Sequence, residues 1–329
     1  MILILSEQTD ATTDIVCSWL NHYGCNYLRI NEEDAHNPNV EIRIKNGKFK
    51  VTYSNGSRIY DLSDNGICWY RRGFFTFHVE ERLPDVNDFT NGSITRFLSN
   101  EGKTLENFFY NLFGKKLSIN HPVNYNFNKI IALHEAADIG FKIPNTLICR
   151  HSVDLKKFVD ENGSCITKSI QDIMPIQYGD RHLSAGKIER VEKCKIAHPY
   201  YWYSLFQKEI PKRYEIRVFY YLGKQYAMAI FSQLDRKSRL DFRDVDVNGD
   251  HPNRMVPYKL PKDIGTLIHK LMKRLKLESG SLDIIVTPDN DYYFLEVNPV
   301  GQFNFVSEIC NYYIEKDIAK HLSQWKNIN

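Results

Sequence analysis

The sequence lacks both of the glycine-rich motifs that hold phosphate groups in the commonest nucleotide-binding folds. None of its 17 glycines is followed by another glycine two residues later, so G-x-G-x-x-G is absent. The motif G-x-x-x-x-G-K-[ST] is absent as well. A nucleotide enzyme with this sequence must therefore hold phosphates in some other way.

Signals for zinc, disulfides and membranes are also missing. The seven cysteines form no C-x-x-C pair and the 11 histidines form no H-E-x-x-H motif, so we expect reduced, mostly buried thiols and no zinc site. No apolar stretch approaches the length of a membrane span, and the segment Met1–Leu5 is too short for a signal peptide. The expectation is a cytoplasmic protein with no membrane partner.

The overall composition is that of an ordinary globular protein. The chain has 329 residues, of which 43% are hydrophobic and 25% are charged, enough to build two or three domains with their own cores. The formal net charge is only +3, and no long run of like charges is present. This charge balance predicts no nucleic-acid partner.

Acidic and amide side chains recur in a predicted hairpin near the end of the sequence. Two strands between Ser281 and Pro299 are joined by a turn at Asp289 and Asn290. A turn centred there places Asp283 directly opposite Glu296, with Asn298 two residues further along the same face. The opposite face is expected to be core, and its members would be Leu282, Ile284, Val286, Tyr293, Leu295 and Val297.

Facing carboxylates on paired strands repel each other unless a positive charge lies between them. Oxygen ligands from Asp283, Glu296 and Asn298 suit Mg²⁺, which is usually bound together with substrate phosphates. The alternative is the ordinary solvent-facing side of a polar hairpin. The exit of the second strand into Pro299 and Gly301 favours a functional site, because such constrained segments often carry function.

The rest of the pattern divides the chain into three parts. A strand, a helix and a second strand between Ile2 and Ile30 predict a small α/β domain over residues 1–119, and Asn46-Gly47 predicts a hairpin inside it. Residues 120–205 form a second part, in which the polar segment 171–190 is interpreted as a lid or protruding hairpin. The third part, residues 206–329, contains the acidic hairpin.

Four features follow one another in the sequence. They are Lys129 at a predicted helix start, Lys168 on a predicted strand, the segment Gln207–Arg217 and the acidic hairpin. This order and spacing resembles the ATP-grasp superfamily over nearly the whole chain. The resemblance implies an α/β N-terminal domain followed by an α+β ATP-grasp fold, whose two lobes grip ATP with Mg²⁺.

The resemblance also implies roles for single residues. Lys129 and Lys168 match the lysines that hold the nucleotide phosphates, although each lysine taken alone would fit an ordinary surface position. Glu215 matches the acid that binds the ribose hydroxyls, and Arg217 would meet the γ-phosphate. For both, a cross-strand salt bridge is the alternative. The residues matching the adenine-binding hinge are Gln207, Lys208, Glu209 and Ile210.

Within the superfamily, the microviridin-type ligases that make graspetides are the most similar. The resemblance is carried by Leu295–Phe303, Ser232-Gln233, Asp241–Arg243 and Trp69–Gly73. It implies a ligase that phosphorylates Glu or Asp side chains of a ribosomally made precursor peptide and joins them to Ser, Thr or Lys side chains as esters or amides. Such ligases recognise a leader segment of the precursor, and the resemblance suggests a homodimer.

An acidic core peptide needs fixed cations near the γ-phosphate, and Arg239 and Arg243 are the candidates for its carboxylate, with a solvated charged loop as the alternative. The sequence departs from the family pattern at Phe242, where Trp is commoner. The segment 171–190 lacks the glycines of many ATP-grasp lids, so a leader-binding role is an alternative for it. Two other functions are also considered: an ATP-grasp ligase that joins free amino acids or adds glutamate to a protein tail, and a non-catalytic nucleotide-binding scaffold.

Overall fold

The computed structural model describes residues 1–63, 66–78, 88–114, 117–121, 128–171, 176–178, 181–183, 188–233, 240 and 253–325. The chain forms two compact units. The first contains Met1–Phe127, Gln302–Ser307 and Tyr313–Asn329, and the second contains Asn128–Gly301 and Glu308–Tyr312. The three-part division made from the sequence stays a prediction.

The first unit is built on a parallel sheet with strand order β2-β1-β6-β7. Residues Ile2 to Leu5 of the first strand are at most 1% exposed, as expected for a parallel strand that is covered on both faces. The predicted β-α-β opening is therefore confirmed. Its elements are β1 (Ile2–Ser6), α1 (Ala11–His22), β2 (Tyr27–Asn31), β6 (Ile67–Tyr70) and β7 (Leu117–Ile119).

Among the described residues, this unit also contains a small antiparallel sheet and three further helices, of which α6 (Asn304–Cys310) continues into the second unit. The hairpin predicted at Asn46-Gly47 is present, and both residues have the positive φ angles, 51° and 72°, that a tight hairpin turn requires. Lys316 lies 4.9 Å from the ring centre of Trp19 and links two of the helices. The elements are β3 (Asn39–Lys45), β4 (Lys48–Ser54), β5 (Ile59–Asp61), α2 (Asp88–Gly114), α6 (Asn304–Cys310) and α7 (Ile314–Ser323).

A buried ion pair lies at the N-terminus of α1, between Asp10 and Arg71. Asp10 caps α1 by accepting a hydrogen bond from the Thr12 backbone N–H, and its Oδ2 lies 2.9 Å from Nε of Arg71. Both residues are under 10% exposed. Burial opposes ionisation of Asp10, but Arg71 and the hydrogen bonds from Thr13 and Thr12 outweigh it and hold the pKa of Asp10 below its ordinary value.

The variant Asp10→Asn is expected to lower the free energy of unfolding at pH 7 by about 3 kcal/mol, since it leaves the buried Arg71 charge without its carboxylate. Asparagine still caps a helix, so the change isolates the ion pair. Because folding depresses the pKa of Asp10, its contribution is complete above about pH 4 and is lost as the pH falls through the folded-state value. Urea unfolding at pH 7 and pH 3 measures both effects. Equal urea midpoints at pH 7 would contradict the prediction.

The second unit begins with a four-stranded antiparallel sheet of order β12-β9-β13-β8. The first helix of this unit starts at Lys129, as predicted, because Oδ1 of Asn128 accepts hydrogen bonds from the N–H groups of Ile130 and Ile131. The elements are α3 (Lys129–Asp138), β8 (Thr146–His151), α4 (Ser152–Asn162), β9 (Cys165–Lys168), β12 (Glu189–Arg190) and β13 (Tyr200–Lys208).

The segment 171–190 contains a short antiparallel ribbon in its described part. Its strands, β10 (Ile176–Tyr178) and β11 (Arg181–Leu183), pair with each other and with no other described strand. A hairpin in this segment is therefore confirmed, and its role as a lid or leader-binding element stays a prediction.

The second unit ends with a five-stranded antiparallel sheet of order β16-β15-β14-β17-β18. The helix α5 buries Ile264, Ile268, Leu271 and Met272 on one face. The elements are β14 (Tyr214–Tyr221), β15 (Lys224–Phe231), β16 (Arg254–Pro257), α5 (Lys262–Arg274), β17 (Ser279–Val286) and β18 (Tyr292–Asn298). Among the described residues, no helix combines the length and the apolar character needed to cross a bilayer.

Candidate nucleotide and metal site

The acidic hairpin has the predicted register at its functional end. Asp283 on β17 pairs directly with Glu296 on β18, and Ser281 pairs with Asn298. At the turn, Asn290 has a φ of 63°, and the backbone N–H of Thr287 donates to the carbonyl of Asp291 at 2.9 Å. This pairing brings the two carboxylates face to face.

Between the turn and Glu296, the prediction of which β18 residues face the core is wrong. Ile284 faces Phe294 rather than Leu295, so β18 carries one extra residue, a β-bulge at Leu295. Phe294 is fully buried, whereas Tyr293 and Leu295 are partly exposed. The extra residue inverts the alternation between the turn and Glu296, and for this reason a regular two-residue period misassigns Tyr293 and Leu295.

Two lysines from other elements converge on the carboxylate of Glu296. Nζ of Lys129, the first residue of α3, lies 3.7 Å from Oε2, and Nζ of Lys168, the last residue of β9, lies 3.6 Å from the same oxygen. The three side chains are between 12% and 20% exposed. Three of the predicted site residues therefore form one cluster, although the sequence separates them widely.

The surroundings of Lys168 lower its pKa, which is unusual for a lysine. Burial lowers the pKa of Lys168, the positive charge of Lys129 acts in the same direction, and the carboxylates of Glu296 and Asp283 oppose them. Two ammonium groups near one carboxylate leave a surplus of positive charge. Such a surplus is complementary to an anion such as a phosphate chain.

Asp283 is held by the predicted γ-phosphate residue. Nη1 of Arg217 donates to both carboxylate oxygens of Asp283, at 2.7 Å and 2.6 Å. The two residues face each other across β14 and β17 and are under 10% exposed. The cross-strand ion pair considered for Arg217 is thus present, and its role toward a γ-phosphate stays a prediction.

Asn298 shapes the exit from the hairpin. Its Oδ1 accepts hydrogen bonds from the backbone N–H groups of Val300, at 3.0 Å, and Gly301, at 3.1 Å. Gly301 has a φ of 44°, and a side-chain carbon there would lie 2.7 Å from the backbone nitrogen of Ser281. The turn after β18 is therefore closely fitted to β17 and requires glycine.

The donor chemistry of the hairpin fits magnesium. Asp283 and Glu296 supply facing carboxylates, and Asn298, two residues beyond Glu296, carries an amide oxygen that also accepts from the N–H groups of Val300 and Gly301. In the described ranges, no group of three or more His, Cys, Asp or Glu side chains could hold a metal ion alone. A cation bound here needs further oxygen ligands, which is how Mg²⁺ binds together with nucleotide phosphates.

The predicted adenine-binding hinge lies at the end of β13. Gln207 is 1% exposed and donates from Nε2 to Oγ1 of Thr146 at 3.0 Å. The carboxylate of Glu209 accepts hydrogen bonds from Arg190 and Ser164. Ile210 is buried and the Lys208 side chain is exposed. The hinge is well anchored, and adenine binding by its four residues stays a prediction.

Glu215 has a partner that the sequence analysis missed. Nζ of Lys212 lies 2.6 Å from Oε1 of Glu215 and 3.1 Å from the carbonyl oxygen of Leu240. Oγ of Ser232 lies 3.4 Å from the same Oε1. The spacing of three residues between Lys212 and Glu215 could have indicated the pair. Arg239 and Arg243, the predicted substrate-binding arginines, lie outside the described residues.

Comparisons with known proteins identify the fold. No model of a protein family matches the sequence, and no curated protein matches it. A solved structure of a RiPP-associated ATP-grasp ligase from Chryseobacterium gregarium, in complex with ADP and a leader and core peptide, is 25% identical with a TM-score of 0.80. The match covers 98% of this chain and 95% of that chain. The chain therefore has the ATP-grasp fold, as predicted.

Two further solved structures place the chain within that fold. The macrocyclase MdnC from Microcystis aeruginosa, bound with the precursor peptide MdnA, is 21% identical with a TM-score of 0.76, and the match covers 98% of this chain and 99% of that one. D-alanyl-alanine synthetase A from Vibrio cholerae is 14% identical with a TM-score of 0.55, over 98% of this chain and 97% of that one. The resemblance to peptide-modifying ATP-grasp ligases is confirmed.

Proposed function

We propose that the protein is an ATP-dependent peptide ligase that closes side-chain rings in a ribosomally made precursor peptide. The observation that carries this proposal is the convergence of Lys129 and Lys168 on Glu296, directly opposite Asp283. A cluster of two cations beside facing carboxylates suits a magnesium nucleotide, and the ATP-grasp ligase from Chryseobacterium gregarium, which has a similar fold, holds ADP with a leader and core peptide.

In this proposal ATP lies with its phosphates near the lysine cluster. Lys129 and Lys168 bind phosphate oxygens, Glu215 binds the ribose, and the hinge from Gln207 to Ile210 binds adenine. Mg²⁺ held by Asp283, Glu296 and Asn298 would neutralise phosphate charge when bound. A solved structure of the ATP-grasp ligase PsnB, whose fold is similar with a TM-score of 0.71 at 16% identity, contains Mg and ADP, which supports this assignment of cofactors.

The proposed reaction has two steps, and neither step forms a covalent bond to the protein. The protein's part is to neutralise the negative charge of the reacting groups. An oxygen of a Glu or Asp side chain of the peptide attacks the γ-phosphorus of ATP, and the bond to the bridging oxygen breaks to release ADP. A Ser or Thr hydroxyl or a Lys amine then attacks the acyl carbon, loses its proton and displaces phosphate. Lys129, Lys168 and Arg217 stabilise the negative charge that develops on the transferred group.

The proposed partner is a precursor peptide with a leader and an acidic core. Arg239 and Arg243 would bind the acidic side chain before its phosphorylation, because fixed guanidinium groups suit carboxylates. The segment 171–190 would act as a lid or bind the leader. Assembly as a homodimer in the cytoplasm is part of the same proposal.

A second candidate function is the joining of free amino acids. It is favoured by the similarity to D-alanyl-alanine synthetase A, whose fold matches this chain over 98% of its length. Such an enzyme would use small amines and need no leader peptide. Among the described residues, the lysine cluster and the acidic hairpin would serve either function equally. Identification of the substrate therefore distinguishes the two functions.

Mass spectrometry of the reaction products separates the two functions. The purified protein is incubated with ATP, Mg²⁺, free amino acids and a candidate precursor, which is a short peptide with Ser or Thr and Glu or Asp in its core sought in the reading frames beside the gene, and we expect the loss of one water for each ring formed. Replacing the acidic core residues of that peptide by their amides is the matched control and should abolish the loss. A gain in mass equal to an added amino acid would support the second candidate instead and overturn the first.

A further inference from the structure

The strand β3 forms an open edge of the small antiparallel sheet in the first unit. It lies at one end of the strand order β3-β4-β5 and, among the described residues, pairs only with β4. All seven of its residues are exposed or half-buried. The strand contains no proline, and its pairing with β4 runs without a bulge. Two of the features that commonly keep an edge strand from pairing further are therefore missing.

The backbone groups of Ile42, in the middle of β3, face this open edge. Ile42 pairs with Val51 on β4. The N–H of Val51 donates to Oγ of Ser63 at 2.7 Å, and its carbonyl accepts from the N–H of Leu62 at 2.8 Å, so both groups of Val51 bond away from β3. Because bonded and non-bonded pairs alternate along an antiparallel ladder, the residues two positions before and after Ile42 also direct their backbone groups outward. Each of these three residues offers one donor and one acceptor to a further strand.

The sequence of β3 is complementary to itself about Ile42. The β3 strands of two copies related by a two-fold axis through Ile42 would run antiparallel, so residues at equal distances on either side of Ile42 would face each other. Glu41 of each copy would then face Arg43 of the other, and Val40 would face Ile44. Opposite charges directly across a strand pair attract each other. This register therefore forms two ion pairs and keeps the apolar side chains together.

Other registers of the same pairing are less favourable. An axis through Glu41 would place two glutamates opposite each other, and an axis through Arg43 would do the same with two arginines. An axis between two residues would place apolar side chains opposite charged ones. Within one chain, Arg43 already lies opposite Lys50 on β4, and a carboxylate from a second copy would offset this repulsion.

The apolar face of β3 extends beyond the core of the unit. Val40 and Ile42 pack against the core, whereas Ile44 is 63% exposed and Phe49, its partner on β4, is 56% exposed. Pairing about Ile42 would place Ile44 beside Val40 of the second copy and remove apolar surface from water. The backbone, the charges and the apolar side chains thus favour the same register.

We propose that β3 is the surface through which two copies of this chain associate, with the two β3 strands paired antiparallel about Ile42 to form one continuous sheet. The partner that fits this edge is a second copy, because the complementarity is between the strand and itself. The inference rests on the proposed function only for assembly as a homodimer, and it does not depend on the ligase reaction.

The test measures the molar mass of the full-length protein by light scattering over a series of concentrations. We expect the wild type to have twice the mass of one chain and to dissociate on dilution. Arg43→Glu converts both attractive pairs into repulsive ones, so the dissociation constant of the dimer should rise at least about tenfold. The charge exchange Glu41→Arg/Arg43→Glu restores opposite charges in the proposed register and should restore the dimer.

Arg58→Glu is the matched control for the charge reversal. Arg58 is exposed and lies next to β5, at the other edge of the same sheet, so its reversal should leave the dissociation constant unchanged. Urea unfolding of each variant shows whether the fold is kept. Arg43 and Glu41 form only an exposed ion pair within one chain, so we expect its loss to change the stability little.

The possible outcomes separate this inference from the proposed reaction. A monomeric wild type would overturn the inference, as would a dimer that Arg43→Glu leaves unchanged or that the charge exchange does not restore. Weaker binding of the candidate precursor peptide by Arg43→Glu, with no change in mass, would assign the edge to the peptide and overturn the inference as well. A dimer that behaves as expected but forms no rings would overturn the proposed ligase function alone.

Discussion

Replacing Glu296 with glutamine is expected to lower ATP turnover at least about 100-fold, the scale seen when one preorganised electrostatic partner is removed from an active site. Glutamine has nearly the same shape as glutamate, but it cannot balance the two ammonium groups of Lys129 and Lys168, which lie 3.7 Å and 3.6 Å from Oε2. It is also a poorer ligand for Mg²⁺ than a carboxylate. The measurement is peptide-dependent release of ADP under saturating ATP.

The matched control for this experiment is Glu161→Gln. Glu161 is 59% exposed on α4 and pairs with the exposed Lys157 one helical turn away, so its loss should leave turnover unchanged. A second comparison is Asp283→Asn, which removes the facing carboxylate and should give a loss of similar size. Wild-type turnover in Glu296→Gln would refute the placement of the phosphates at this cluster.

Replacing Arg217 with methionine is expected to reduce both stability and activity. Arg217 and Asp283 are nearly buried, and both carboxylate oxygens accept from Nη1 within 2.7 Å. Removal of one partner leaves an uncompensated buried charge, which typically lowers the free energy of unfolding by about 3 to 5 kcal/mol. Urea unfolding gives this value, and ATP turnover should be lost even at low temperature, where the variant remains folded.

The partner variant Arg217→Met/Asp283→Asn separates the two effects. It removes both charges, so most of the lost stability should return, while turnover should stay low because a proposed phosphate ligand and a proposed metal ligand are both missing. Arg213→Met is the control, because Arg213 is exposed and contacts Asn290 at the hairpin turn. Its effect on stability should be within about 0.5 kcal/mol. Full turnover in the double variant would contradict the assigned roles.

The pairing of Asp283 with Glu296 is predicted correctly, but a regular hairpin does not explain it. Next to the turn the strands pair Val286 with Tyr292 and Ile284 with Phe294, one residue away from the register of a turn centred at Asp289 and Asn290, and the bulge at Leu295 restores the predicted register at Asp283. A two-residue period contains neither the shift nor the bulge. For this reason the same prediction is right at Glu296 and wrong at Tyr293 and Leu295.

The lysine cluster shows a division between local and tertiary information. The start of α3 at Lys129 follows from the capping side chain of Asn128, and the strand around Lys168 follows from its apolar neighbours. That both ammonium groups lie within 4 Å of Glu296 depends on packing between elements more than 100 residues apart. The resemblance to a known superfamily supplied that information, which periodicity and spacing lack.

The bulge at Leu295 has a consequence for how this hairpin tolerates change. The extra residue separates the turn-side half of β18, which buries Phe294, from the exit half, which carries Glu296 and Asn298. We expect the bulge to accommodate substitutions of core residues near the turn without rotating the carboxylate of Glu296 away from Asp283. Deleting Leu295 would make Phe294 and Glu296 neighbours in a regular ladder, in which alternation alone places Phe294 in the core and Glu296 opposite Asp283. The loss of this residue should therefore be tolerated, whereas a strand that kept Leu295 but lost the bulge would turn either Phe294 to solvent or Glu296 into the interior.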